Sequence, residues 1–590
     1  MAFGNSAEKL DVADGCTPAG GDDAPKFKPT PEQQDIIDAT MQGENVSVKA
    51  FAGTGKTSTQ ILIAEAVKLA RPGSYLTYFA YNRSMADEAK TRFPGNTAVS
   101  TAHAMASRSK INGKSVRDTY ADRVVTGSRM RDLRNRIADD LKSEVDAVRN
   151  YFPGEFTAVT AVLQTLQNFL QSDARAVLQK HASMEHALYV KDMQSVESAH
   201  KFNRAAAEAA QQVWNRMMTD RTFPVTHDVY LKAWEMDGHF AGRGLVLFDE
   251  AQDANPVMIS VLKKMHAAGS QIVLVGDPHQ AIYGWRGAVD AMKAFPEFTQ
   301  LSLTESWRFG QNIADKAQMF LSAAGETQIL KGRNPNKGTF LDTPAGAKTP
   351  DEILPDAVLC RTNVGVILDT LEAIKNGQRP YIVGGSGSKE GGAQDAANLL
   401  EAMGGLHDGD RQRRRHPEIA LFENWDDIVE FSESNEGKQL KGFVKFTMEQ
   451  KQHGTFDQCV TALRDNTAKT PDKADVTLCT MHKSKGLEWG NVRVGGDLDK
   501  VDVTNAHRYN DKQDIAFSLS QENYKLLYVA WTRGKESFDA RGFHSTYERQ
   551  IQALQEFPLT DEIRQRIRDE RDGKIAEKRE LQREFSGTND

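Results

Sequence analysis

Eight residues set the terms for this chain: AFAGTGKT at positions 50–57, lying between a β-like run, VSVKA (Val46–Ala50), and a helical run, ILIAEAVKLA, at 61–70. A glycine-rich turn that leaves a strand and opens a helix aims backbone N–H groups and the positive end of the helix at one point, where phosphate can sit. Lys56 adds a point charge for the β- and γ-phosphates, and the Thr57 hydroxyl stands where Mg²⁺ needs an oxygen. Ala52, Gly53, Thr54, Gly55 and Ser58 complete the expected ATP-binding loop. The pattern departs from G-x-x-x-x-G-K-[ST] at its first position, where Ala50 stands for glycine. By itself the loop says only that a nucleoside triphosphate is bound.

The rest of the chain supplies the sheet that such a loop needs. Runs with β character at 75–81, 97–101, 244–250 and 271–277 alternate with helical stretches, and several are continuously apolar, as strands buried on both faces of a parallel sheet are. A second set follows at 357–362, 380–385, 476–482 and 491–497. The fold class read from this is α/β: two tandem parallel-sheet domains, each carrying an inserted, mainly helical subdomain. The boundaries expected are a disordered leader at 1–26, a first domain at 27–105 and 225–310, and its helical insertion at 106–224. The second domain is expected at 311–385 and 476–558, with a short insertion at 386–475 and a charged helical tail at 559–590. The second insertion contains RQRRRH at 411–416, which suits duplex phosphates and a solvated loop about equally.

LVLFDEAQD at 245–253 runs apolar residues straight into Asp249 and Glu250. At a strand end the first carboxylate suits Mg²⁺, together with Thr57, and the second suits orienting and deprotonating a water. Composition limits the remaining choices. The formal net charge of −7 argues against a surface coated with phosphate-binding charge, although a local positive groove would suffice for DNA. No apolar run is long enough to span a bilayer, and the N-terminus lacks the features of a secretory signal, so an intracellular, cytoplasmic protein without a membrane partner is expected. Four scattered cysteines give neither a disulfide framework nor a zinc site.

VGDPHQAIYGWRGA at 275–288 narrows the chemistry further. Gln280 is a neutral amide suited to sensing a γ-phosphate. A lone tryptophan is usually packing, but Tyr283 and Trp285 beside Gly284, Arg286 and Gly287 favour a platform for stacking bases. With TESWRFG (304–310), TMHKSKGLEW (480–489) and LLYVAWTRGKE (526–536) following in order, the chain resembles the UvrD/Rep/PcrA-type helicases of superfamily 1 over about residues 29–536.

That resemblance implies two RecA-like domains, ATP and Mg²⁺, and single-stranded DNA and its junctions with duplex as partners. A loading or accessory protein and a setting in DNA repair or replication also go with it. It implies roles residue by residue as well. Gln33, in TPEQQ, looks like the adenine-reading amide, Trp307 occupies the adenine-stacking position, and Glu488 matches the residue at the ribose. Arg308 and Arg533 look like two arginine fingers, the second on the far domain, so that catalysis would need a closed cleft; with Lys56, Asp249, Glu250 and Gln280 they form the expected catalytic set. Asn82 and Arg83, Thr101 and His103, Tyr283, Trp285 and Arg286, and Thr480 and His482 match positions that touch DNA.

This sequence departs from its relatives at Ser58, where an adenine-packing arginine is common, and at His279, which replaces an acid. Three functions therefore stand side by side: a 3′→5′ DNA helicase that unwinds duplex, a single-strand translocase or motor subunit that unwinds only with a partner, and an ATP-gated DNA-binding switch. The complete set of fingers and base argues against the switch.

Overall fold

The computed structural model describes residues 28–541, apart from 127–128, 153, 241, 243, 285–286, 337, 342–353, 385–391, 411, 415, 417, 420–421, 423, 434–437, 450–454 and 498–520. The leader and the charged tail expected from the sequence lie outside the described residues.

The first sheet has six strands, all parallel, in the order Thr97–Ser100, Leu76–Phe79, Leu245–Phe248, Gln271–Gly276, Val46–Ala50 and Thr299–Leu303. Val46 lies opposite Val273 on one side and Thr299 on the other. Side chains of successive strand residues point to opposite faces, and here both faces are covered. Leu245, Leu247, Val273 and Val275 join one apolar core, while Val246, Phe248, Ile272 and Leu274 join another. That double burial is the reason these strands read as unbroken apolar runs.

The second core continues into the helices inserted after Ser100. Glu155–Leu170 and the long Val196–Thr219 helix pack there, the latter burying an alanine stripe of Ala199, Ala206, Ala209 and Ala210. A two-stranded antiparallel hairpin, Lys110–Ile111 with Lys114–Ser115, also lies in this segment.

The second sheet is again six-stranded and parallel, ordered Thr339–Leu341, Gly534–Asp539, Trp489–Val494, Ala357–Cys360, Val476–Thr480 and Pro380–Ile382. Four helices, Gly392–His407, Trp425–Glu433, Lys438–Met448 and Phe456–Asp465, interrupt it. Of the basic cluster in this insertion, Arg413 pairs with Asp457 at 2.5 Å and His416 approaches Asp395 at 3.4 Å, so these two belong to the folded insertion. Arg411 and Arg415 lie outside the described residues. Cys360, Cys459 and Cys479 are buried thiols. Among the described residues no helix is long and apolar enough to cross a membrane.

The two lobes meet through one continuous apolar core. Phe51, Ala52, Ile282 and Phe309 of the first lobe pack with Met481, Tyr528 and Trp531 of the second. The strands of the first sheet end at this junction, at the carboxyl edge where open parallel sheets hold their ligands.

Candidate active site

The phosphate loop leaves Ala50 and bends through Gly53 (φ 73°) and Gly55 (φ 80°), both left-handed. Gly53 is also enclosed: a Cβ there would lie 2.4 Å from Ser306 Oγ and 2.6 Å from Arg308 Cβ. Gly55 caps the Lys56–Ala70 helix without a side-chain bond, so the first N–H groups of that helix are left for another acceptor. Lys56 curls back, its Nζ donating to Ala50 O at 2.9 Å and Phe51 O at 3.0 Å. Burial pulls its pKa below the ordinary lysine value, against the pull of Asp277, Glu250 and Asp249. Within the loop Thr54 donates to Phe51 O at 2.8 Å.

The acids follow the Leu245–Phe248 strand. Asp249 is buried; its Oδ2 accepts from Thr57 Oγ1 at 3.3 Å and from Tyr78 OH at 2.7 Å, and its Oδ1 accepts the Glu250 N–H at 2.9 Å. A hydroxyl and a carboxylate sharing one point is the hard-oxygen donor set that suits Mg²⁺. Burial, with Glu250 beside it, pushes the Asp249 pKa up. Glu250 goes the other way: burial alone would raise it, but Lys485 and Lys56 outweigh that and hold it below the ordinary carboxylate value. Two adjacent carboxylates are thus separated in proton affinity. Glu250 also sits at φ 51°, an uncommon backbone for a residue with a side chain, and such outliers collect at functional sites.

Lys485, from the second lobe, is the buried cation behind that separation. Its Nζ pairs with Asp253, lies 3.6 Å from Glu250 Oε2, and donates to Gln280 O at 2.8 Å. It also stands 5.3 Å over the Tyr283 ring.

A polar chain crosses from lobe to lobe beside these acids. Gln280 donates to Asp277 Oδ2 at 2.6 Å, and its Oε1 accepts from Arg533 Nη2 at 3.4 Å. Arg533 is 1 % exposed; Val529 O and Leu487 O take its Nε and Nη1. Burial and the neighbouring Arg308 push its pKa down to about 9, which still leaves it charged at neutral pH. Arg308 donates through Nε to Glu488 Oε2 at 2.6 Å and through Nη1 to Thr532 O at 3.1 Å. Arg308 thus lies close enough to both Lys56 and Arg533 for the three positive charges to act on one another.

Trp307 is 54 % exposed, a large apolar face open to solvent beside the loop. Gln33 is engaged with protein: Oε1 accepts Thr30 N–H at 3.0 Å, and Nε2 donates to Thr59 Oγ1 at 3.1 Å. It lies beside Gly55, within 3.3 Å of where a Cβ there would stand.

The candidate DNA-contacting positions occupy loop and helix starts. Asn82 and Thr101 cap the helices Arg83–Arg92 and Ala102–Arg108 through their side chains. Arg83 is largely exposed. His103 Nε2 meets Asp228 Oδ1 at 2.8 Å, and Asp228 is held in turn by Gln167 at 2.7 Å. Tyr283 stacks on Tyr81 (ring centroids 6.0 Å, 9° between planes), and its hydroxyl donates to His482 O at 3.3 Å. Thr480 is buried, accepting the Lys483 N–H at 3.3 Å. Trp285 and Arg286 lie outside the described residues.

Comparison with known proteins agrees with this arrangement. Residues 30–298 match the UvrD/REP helicase N-terminal domain, and residues 410–538 match the UvrD-like helicase C-terminal domain. The chain belongs to the UvrD/Rep-type superfamily 1 helicases. It is 29 % identical to F-box DNA helicase protein 1 of Schizosaccharomyces pombe over 86 % of its own length and 56 % of that protein's. It is 26 % identical to F-box DNA helicase 1 of Gallus gallus over 87 % of its length and 49 % of that protein's. A shorter stretch, 13 % of the chain, is 31 % identical to the ATP-dependent DNA helicase PcrA of Leuconostoc citreum. The chain therefore spans about half the length of the two F-box relatives.

Tyr78, Asp253, Asp277, Lys485 and Tyr528 belong to this UvrD/Rep-type site without being singled out by sequence pattern. Each lay inside a segment that was noticed for another residue. Tyr78 carries a signal, a polar-tipped aromatic in the buried LTYF strand, whose hydroxyl needs a partner. Lys485 and Tyr528 gain their meaning only from the opposite lobe.

Proposed function

We propose that this chain is a DNA-stimulated ATPase that moves 3′→5′ along single-stranded DNA and separates duplex at the junction ahead of it. The observation that carries the reading is the reach of Arg533 from the second lobe to Gln280 on the first, beside Lys56, Glu250 and Arg308. Charge develops on the terminal phosphoryl group and its leaving oxygen during transfer, and fixed guanidiniums in a dry cleft stabilise it.

In this reading the phosphate loop from Ala52 to Thr57, with Ser58 behind it, holds the triphosphate, while Trp307 stacks on adenine. Gln33 reads the adenine edge by exchanging its present partners, and Glu488 meets the ribose. Glu250, kept ionised by Lys485 and Lys56, orients and deprotonates the attacking water. Mg²⁺, held by Thr57 and Asp249, would neutralise phosphate charge. Because one finger belongs to each side of the junction, turnover and lobe movement are tied together. Tyr283, Trp285, Arg286, Asn82, Arg83, Thr101, His103, Thr480 and His482 form the DNA track on both lobes. The printed names of the F-box and PcrA relatives, all DNA helicases, support DNA as the track.

The test is ATP turnover with single-stranded DNA, duplex or RNA, followed by strand displacement from 3′- and 5′-tailed duplexes, with Lys56→Ala as the inactive control. Single-stranded DNA should stimulate turnover most, and only the 3′-tailed substrate should be opened. Turnover indifferent to DNA overturns the motor; stimulation without displaced strand leaves translocation alone.

A further inference from the structure

We infer that Tyr528 is a positioning residue of the hydrolytic cycle, whose hydroxyl fastens the phosphate loop of the first lobe to the helix of the second lobe that leads into Arg533. The inference rests on the ATPase reading above.

Tyr528 lies on the Gln521–Trp531 helix and is completely buried. Its hydroxyl accepts the Ala52 N–H at 3.0 Å and donates its proton to Asp277 Oδ2 at 3.3 Å. The same carboxylate oxygen accepts from Gln280, and Gln280 accepts from Arg533. The phenol therefore touches two first-lobe groups that bear on the triphosphate: the backbone of the loop that cradles it, and the aspartate that orients the sensing amide.

The Ala52 N–H is buried, and a buried donor without a partner is costly. Any opening that draws the helix and Arg533 back must also strip Ala52 and Asp277 of this hydroxyl. Closing restores all the contacts together. Loop geometry and finger position are thus set by one rigid piece, so the phosphates are held correctly when the guanidinium arrives. Phenylalanine at 528 would keep the ring within the apolar cluster of Phe51, Ile282 and Trp531 and remove only the hydroxyl.

The experiment compares the full chain with Tyr528→Phe, Asp277→Asn and the double variant, reading kcat and KM for ATP with and without oligo(dT), and the melting temperature. Tyr528→Phe should lower kcat roughly tenfold, the scale of a lost buried hydrogen bond, with KM within about twofold and melting shifted by only a few degrees. Because both substitutions break the contact between the phenol and the carboxylate, the double variant should lose less than the product of the singles. A kcat within about twofold of the parent, a KM rise at constant kcat, or a double variant losing the product of the singles overturns the inference. Should Tyr528→Phe fail to fold, Asp277→Asn alone carries the same expected split. A parent whose turnover ignores DNA would sink the motor reading, while the hydroxyl's effect would still be read on DNA-free kcat.

Discussion

Arg533 donates through Nη2 to the side-chain oxygen of Gln280 across the lobe junction at 3.4 Å, and it does so from an almost fully buried position. Three more of its five donors go to second-lobe oxygens of Val529, Leu487 and Thr532, which fix the guanidinium to that lobe. A cation held so firmly by one domain and presented to the other has its position tied to how the two are arranged.

Tyr78 supports Asp249 from the neighbouring strand, at 2.7 Å. Tyr78→Phe should keep the strand packed but leave the carboxylate less well oriented. Partners of this kind are typically worth about 10–100-fold in metal affinity or activity. A Mg²⁺ titration of ATP turnover should therefore shift to higher concentration, with little change in melting temperature.

Lys485 neutralises Asp253 and Glu250 in a buried pocket. Lys485→Met strands both carboxylates without a counter-charge, a loss on the order of 3–5 kcal/mol when a buried pair is broken. Thermal denaturation should register it. Glu250, no longer held down by its strongest cationic neighbour, should take up a proton at higher pH, so the acid limb of the kcat–pH profile moves toward alkaline values.

Glu326 receives Lys49 Nζ at 3.0 Å and meets His279 Nε2 at 2.9 Å, tying the strand before the phosphate loop to the turn before Gln280. Burial would raise its pKa, but His279, the Gln328 N–H and Lys49 prevail and bring it down to about 2 from an ordinary 4.5. A depressed folded-state pKa gives stability that is present above the unfolded value and lost as pH falls through the folded one. Glu326→Gln should therefore melt lower than the parent at neutral pH, and the difference should shrink between about pH 4.5 and 2.

Trp307 offers an exposed ring beside Gly53, whose carbonyl accepts the Trp307 backbone N–H at 2.9 Å. Trp307→Ala should raise KM for ATP by roughly tenfold, the worth of about 1–1.5 kcal/mol of ring stacking, while kcat changes less. Steady-state kinetics separate the two, and an unchanged KM would remove Trp307 from the adenine site.

The loop at 50–57 and the acids at 249–250 were legible in the sequence because their chemistry is local: a turn between a strand and a helix, and carboxylates at the end of an apolar run. Strands buried on both faces were legible for the same reason. Thr299–Leu303, Thr339–Leu341 and Gly534–Asp539 were not. TQLSL and TFL lie at sheet edges, partly exposed and too short or polar to stand out, and GKESFD opens with residues typical of loops yet is held between two partner strands. Contacts such as Lys485 to Asp253 or Tyr528 to Ala52 join residues hundreds of positions apart. Pattern along the chain carries no signal for them; only the docking of the lobes does.

The most direct measurement is ATP turnover by Arg533→Ala at saturating single-stranded DNA, alongside its affinity for a fluorescent ATP analogue. A finger supplied by the second lobe predicts that turnover falls on the order of a thousandfold or more while nucleotide affinity changes only a few-fold. Turnover within about tenfold of the parent, at equal nucleotide occupancy, would contradict the account.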